Sequence, residues 1–209
     1  MSGVGGRRSA IVGVGVVMLL VLLAGCSKSD GSSSASGGAS TTVAAGKLFP
    51  DNFTSVCQGV GQSKAREYAK AGTHKLLYIQ TYEDHLQDDS QVLPSDWAVQ
   101  FDANKDAYAN VDLVGCGVRT GAKFAKECTG YKDDDGKDAG QKVKLYTATY
   151  KVTAYAAKSG SALGSTVLHA GDTDCPMLQS FDKGQKVATV YQAPTNDAIV
   201  AFLKPYAQP

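Results

Sequence analysis

The chain is 209 residues long, with 21 Lys and Arg set against 20 Asp and Glu and a formal net charge of +1. This length accommodates one domain with a sizeable hydrophobic core plus accessory segments. Without a basic stripe, the balanced charge argues against nucleic acid as a partner.

The first signal along the chain is a pair of arginines, Arg7 and Arg8, ahead of an apolar run at 10–23. At about 1.5 Å per residue that run falls short of the ~30 Å hydrocarbon core of a bilayer. It reads as the apolar region of an export signal, with the arginines as the flank retained on the cytoplasmic side. The run ends in Leu23-Ala24-Gly25-Cys26, which resembles the lipobox of bacterial lipoproteins. The resemblance implies that residues 1–25 are a removable signal peptide and that Cys26 carries a diacylglycerol and begins the mature chain. The partner so implied is the membrane, reached through the lipid on Cys26, and the implied location is the extracytoplasmic face of the cell membrane. Two or more acyl chains, at about 0.8 kcal/mol per buried CH₂, hold a protein where one chain does not.

Residues 27–46 are dominated by Ser, Gly, Ala and Thr and hold no aromatic side chain. Such a segment has too little apolar surface to fold and serves, with Cys26, as a flexible tether over 26–46. Residues 47–209 then form the expected single domain. Loss of Arg7 and Arg8 with the signal leaves 19 basic against 20 acidic residues, so the lipid supplies the membrane attachment without help from surface charge.

Within the domain, 63–71 ahead of Gly72 is expected to be a helix, and the apolar run 76–79 a central strand. Residues 111–119 and 123–131 read as a hairpin around Thr120-Gly121. In that hairpin Cys116 faces Cys128 at the Cα separation a disulfide needs. Cys57 is left to pair with Cys175, so the four cysteines of the domain make two bridges. No C-x₂-C spacing is present, which argues against zinc and against a dithiol redox motif.

Residues 146–154 alternate strictly, with Tyr146, Ala148, Tyr150, Val152 and Ala154 on one face, the two-residue period of a half-buried strand. A tight turn at Ser159-Gly160 pairs Val152 with Val167 and Tyr150 with His169, which puts His169 on the apolar face. The last element is a helix at 196–204, with Ile199, Phe202 and Leu203 on one side and Pro205 as its stop. The fold class expected is α+β: an antiparallel sheet of about four to six strands with a few packed helices and two disulfides.

The chemistry is sparse. His74, His85 and His169 are the three candidate bases or ligands, with Asp88 and Asp89 near His85 and Asp172 and Asp174 near His169. None completes a recognisable constellation, and no nucleophile elbow, metal-binding helix or phosphate-cradling loop occurs. The acidic run at 133–138 does not match a calcium loop, because Tyr131 and Lys142 fall on ligand positions. Trp97 and most of the ten tyrosines are expected in the core. No catalytic, cofactor-binding or metal-ligating residue is assigned, and no cofactor.

A second resemblance spans 57–176. Cys57-Gln58-Gly59-Val60-Gly61, Gly72-Thr73-His74, Leu93-Pro94-Ser95-Asp96-Trp97, Asp112-Leu113-Val114-Gly115-Cys116, Cys128 and Cys175-Pro176 occur in an order similar to an uncharacterised group of bacterial extracytoplasmic four-cysteine domains. Lys75 stands where that group has a proline. The resemblance implies a single domain with the same disulfide pairing and brings no activity with it. The function expected is therefore a membrane-anchored extracytoplasmic lipoprotein acting as a binding or structural component of the envelope. The alternative is an envelope-acting hydrolase that uses a histidine and carboxylates.

Overall fold

A computed structural model of the protein describes residues 46–132, 135–138 and 140–208. The signal segment, Cys26 and most of the tether lie outside the described residues, as do Asp133 and Asp134 of the acidic run. Six strands are present among the described residues: β1 (Leu76–Tyr82), β2 (His85–Asp88), β3 (Leu113–Cys128), β4 (Lys142–Ala156), β5 (Ala162–Ala170) and β6 (Val187–Tyr191). One α-helix, α1 (Asn196–Ala207), follows them, and a 3₁₀ helix at Pro50–Gln58 precedes them.

The strands form one sheet in the order β2-β1-β3-β4-β5, and β6 also pairs with β4. It is a mixed sheet, which corrects the expectation of a purely antiparallel one: β1 runs parallel to β3, and β6 runs parallel to β4. Parallel neighbours require long crossovers. Those crossovers are the segment 83–112, which carries Trp97 into the core, and the segment 157–186, which contains β5 and Cys175.

β1 reads as expected. Residues 76–80 are buried on both faces, so a continuous apolar run is what a strand in that position needs. On one face Leu77, Ile79, Val114 and Cys116 pack against Phe53 and Val56 of the 3₁₀ helix. On the other, Tyr78, Tyr150, Val152 and Ala154 pack against Ile199 and Leu203 of α1. Gly115 lies beneath that helix, and a Cβ there would sit 3.0 Å from Leu203 Cδ1.

The disulfide pairing is Cys57–Cys116 and Cys128–Cys175, with Cα separations of 5.5 and 5.8 Å. All four cysteines are bonded as expected, but the Cys116–Cys128 and Cys57–Cys175 pairing is overturned. Its premise was a turn at Thr120-Gly121, and none exists there. β3 continues through both residues, and a register irregularity lies between Arg119 and Gly121. A glycine inside a strand often marks a bulge. Cys116 and Cys128 thus sit 12 residues apart on one strand, about 40 Å at ~3.3 Å per residue, and face Thr153 and Val143 of β4 instead of each other.

Three further expectations are corrected. The turn is a four-residue one that closes with Ala156 N–H donating to the Ser161 carbonyl at 2.9 Å, and a bulge between Ala154 and Tyr155 restores only part of the expected register, so Val152 pairs with Thr166 and Tyr150 with Leu168. A one-residue slip moves every side chain to the opposite face, and His169 is exposed beside Thr149, at 3.2 Å from its Oγ1. The expected helix at 63–71 is a non-helical segment held by tertiary contacts, among them Arg66 N–H donating to the Val111 carbonyl at 3.0 Å. The last helix forms as expected, with Thr195 Oγ1 accepting from the Ala198 N–H at 3.3 Å as its N-cap. Pro205 lies inside it instead of stopping it.

After the 3₁₀ helix the chain packs closely against the turn between β4 and β5. A Cβ on Gly61 would lie 2.1 Å from the Lys158 carbonyl oxygen, while Gln62 N–H donates to the Ala157 carbonyl at 2.9 Å. Both neighbours are backbone, so neither yields cheaply. Gly61→Ala is expected to destabilise the domain by about 1–3 kcal/mol, the usual range for overpacking. Thermal unfolding checks this, and an unchanged Tm would refute the contact.

Candidate functional site

α1 covers only part of its face of the sheet. Successive side chains on a strand alternate between faces, so Tyr78 and Gln80 of β1, Gly115, Gly117 and Arg119 of β3, and Tyr150 and Val152 of β4 share one. The helix seals the Tyr78–Gly115 end. Beyond it, Gln80, Arg119 and Tyr150 line a cleft of about 600 Å³. Its walls come from the β1–β2 turn at Glu83, from Gln87, Asp89 and Gln91, from residues 188–191 of β6, and from loop residues 179–182. That loop follows the Cys128–Cys175 bridge, and Phe181 within it packs edge-on to Tyr131 at 5.6 Å.

Arg119 sits just past the last β1–β3 pair, where its own N–H donates to Thr81 Oγ1 at 3.1 Å. Its guanidinium lies 3.6 Å from the centroid of the Tyr191 ring, a cation–π contact. Nη2 donates to the Glu83 carbonyl, and Nη1 is buried with no hydrogen-bond partner. Glu83 has φ 51°, left-handed backbone that costs a non-glycine residue energy and often occurs at ligand sites. No carboxylate lies within 4.0 Å of Arg119 among the described residues.

Gln80 is only 8% exposed. It accepts from Tyr78 Oη–H at 2.9 Å and reaches Asp89 Oδ2 through Nε2 at 3.5 Å. Asp89 Oδ1 accepts from Gln91 Nε2 at 3.0 Å. Burial pushes the Asp89 carboxyl above its usual range; the Gln91 hydrogen bond opposes that shift, and the Asp88 charge adds to it. A raised carboxyl pKa means that the fold tolerates the protonated form better, so Asp89 costs stability as pH rises through its folded pKa. Burial likewise raises the Tyr150 phenol, with the Arg119 charge and a side-chain hydrogen bond from Arg119 opposing.

Taken together, these groups form a polar seat of fixed donors and acceptors with aromatic walls, a cation and carboxylates. Such an arrangement presents donors, acceptors and both signs of charge on one surface. No protein-family model matches the chain, and no curated protein or solved structure matches it significantly.

The three histidines are far apart in the fold, and none lines the cleft. His74 is 3% exposed and lies beneath the Tyr68 ring with Nδ1 3.0 Å from Asp112 Oδ2. Asp112, 1% exposed, also accepts from Arg66 and from the Lys75 N–H. His85 is exposed at the β1–β2 turn with Nδ1 3.5 Å from Asp84 Oδ1. His169 lines a separate shallow depression with Lys123 and Thr147. Of the carboxylates flagged beside His85, Asp89 alone reaches the cleft; Asp88 bonds to Ser90. No group of three or more His, Cys, Asp or Glu among the described residues is placed to hold a metal ion. Trp97 is 5% exposed and belongs to the core.

Sequence reasoning missed Arg119, Gln80 and Tyr191. The one available cue was Gly121 inside a strand pattern, the mark of a bulge beside a functional position.

Proposed function

We propose that the protein is a lipid-anchored, extracytoplasmic binding lipoprotein of the cell envelope, with its ligand seat in the cleft around Arg119. The observation that carries the binding reading is Arg119 itself: a partly buried cation, held on an aromatic ring in a polar cleft, with no carboxylate counter-ion of its own. Buried charges are normally paired, so an arginine held open in this way is a recognition group. The lipobox-like Leu23-Ala24-Gly25-Cys26 supports the anchor. Two disulfides are consistent with an oxidising compartment, and no helix among the described residues is long and apolar enough to cross a membrane.

Mass spectrometry of the protein purified from its own membranes tests both parts. The mature chain is expected to begin at Cys26 with a diacylglycerol mass, and Cys26→Ser is expected to accumulate as the uncleaved, unlipidated precursor. An unmodified Cys26 in wild-type membrane fractions would overturn the anchor. Under native conditions a non-covalent mass that disappears on denaturation is expected, and a bare polypeptide would count against the ligand seat.

A further inference from the structure

Opposite charges line one cleft without meeting. Arg119 has no carboxylate within 4.0 Å, and no lysine or arginine lies within 4.0 Å of the Asp89, Glu83 or Asp182 carboxylates among the described residues. In a partly desolvated site, two mobile groups of opposite sign gain by closing on one another. Each is instead tied down elsewhere: Arg119 to the Tyr191 ring and the Glu83 carbonyl, Asp89 to Gln80 and Gln91.

We infer that the cleft binds a zwitterion of amino-acid or dipeptide size, its carboxylate set against Arg119 and its ammonium against Asp89. This rests on reading the cleft as the ligand seat. Arg119, which lines the cleft, offers the anion a charge that no carboxylate within 4.0 Å compensates, directly or through a bridging water. Gln80, which is nine-tenths buried and whose Nε2 holds only a long contact at 3.5 Å, is placed to bond an amide between the two ends. A cleft of about 600 Å³ is within the range of small-molecule sites. Other classes fit less well. The phosphates of a nucleotide would meet one arginine among three carboxylates, an acyl chain would meet glutamines, and a neutral sugar would leave both charges unmatched.

Calorimetric titration of the full-length lipoprotein in detergent tests this with glycylglycine and L-glutamine as zwitterions. N-acetylglycine supplies the carboxylate alone, glycinamide the ammonium alone, and glucose neither charge. The zwitterions are expected to bind at least about 10-fold more tightly than any control, since one lost charge-assisted hydrogen bond is worth about that factor. Arg119→Gln is expected to bring glycylglycine down to the affinity of glycinamide while glycinamide itself is unchanged. Asp89→Asn is expected to bring glycylglycine down to the affinity of N-acetylglycine while that probe is unchanged. A loss of folding would weaken every probe alike, so the selective pattern separates recognition from stability.

Glucose or a singly charged probe binding as tightly as glycylglycine would overturn the zwitterion and leave the ligand seat standing. No saturable heat from any probe, with a co-purifying mass still present on the native protein, would do the same. No heat and a bare polypeptide would overturn both.

Discussion

Replacing Cys57 and Cys116 together with alanine is expected to lower the stability of the domain by about 2–5 kcal/mol. The bridge links residues 59 apart, and cross-linking a loop of that length removes much of the freedom of the unfolded chain. It also does something that loop entropy alone does not capture. Cys57 lies in the last turn of the 3₁₀ helix whose Phe53 and Val56 cover one face of β1 and β3, and Cys116 is 1% exposed within that layer. Without the bridge the lid over Leu77, Ile79 and Val114 is held by packing alone. Denaturant unfolding of the double variant measures the loss, and a midpoint equal to that of the wild type would show that the covering segment needs no tether. A non-reducing peptide map is expected to recover Cys57 with Cys116 and Cys128 with Cys175; recovery of Cys57 with Cys175 would refute the pairing. The Cys128–Cys175 bridge closes a separation of 47 residues, so its entropic contribution is similar. It also anchors the loop that walls the cleft.

Asp112→Ala is expected to cost about 1–3 kcal/mol for each buried donor that it leaves unpaired. Asp112 Oδ2 accepts from Arg66 Nε at 2.9 Å and from Arg66 Nη2, and lies 3.0 Å from His74 Nδ1; Oδ1 accepts from the Lys75 N–H at 3.1 Å. The carboxylate thereby joins the non-helical 63–71 segment to the entry of β1 and the entry of β3. Its removal strands the buried His74 ring and the Lys75 N–H together, and an unsatisfied buried donor bears its full desolvation penalty. Arg66→Ala leaves the buried Asp112 carboxylate without its guanidinium partner, held only by the Lys75 N–H and His74 Nδ1, so it is expected to cost a comparable amount although Arg66 itself is half-exposed. A thermal-unfolding series of Asp112→Ala, Asp112→Asn and Arg66→Ala checks both. Wild-type Tm values for Asp112→Ala and Arg66→Ala would mean that the cluster does not organise this corner.

Local pattern identified the elements whose signal is carried by their own residues. The run 76–79 became β1, the alternation through 146–154 became the middle of β4, and the apolar spacing after Thr195 became α1. Each works because burial on a strand or helix repeats with the period of that element, so a few neighbouring side chains suffice. The 63–71 stretch shows the converse. Its helix-compatible residues are held in a non-helical course by Arg66, whose partner Asp112 lies 46 residues away, and no local count of propensity registers that bond.

Composition and spacing alone determined that strands and helices combine in the fold and that its four cysteines pair. Only the tertiary structure decided which cysteines meet, on which face His169 falls, and which side chains line a common cleft. The physical reason is that these three outcomes depend on strand register. β3 runs on through Thr120-Gly121 as one strand of 16 residues where a hairpin was expected, and a longer turn after β4, with a bulge beside it, set β5 one residue off the expected pairing. Side chains on a strand alternate, so a single inserted residue reassigns every partner beyond it. The cleft adds to that register the endpoints of β1 and α1: Gln80, Arg119, Tyr150 and Tyr191 come from four strands and meet because the helix covers one end of their shared face and leaves the other open.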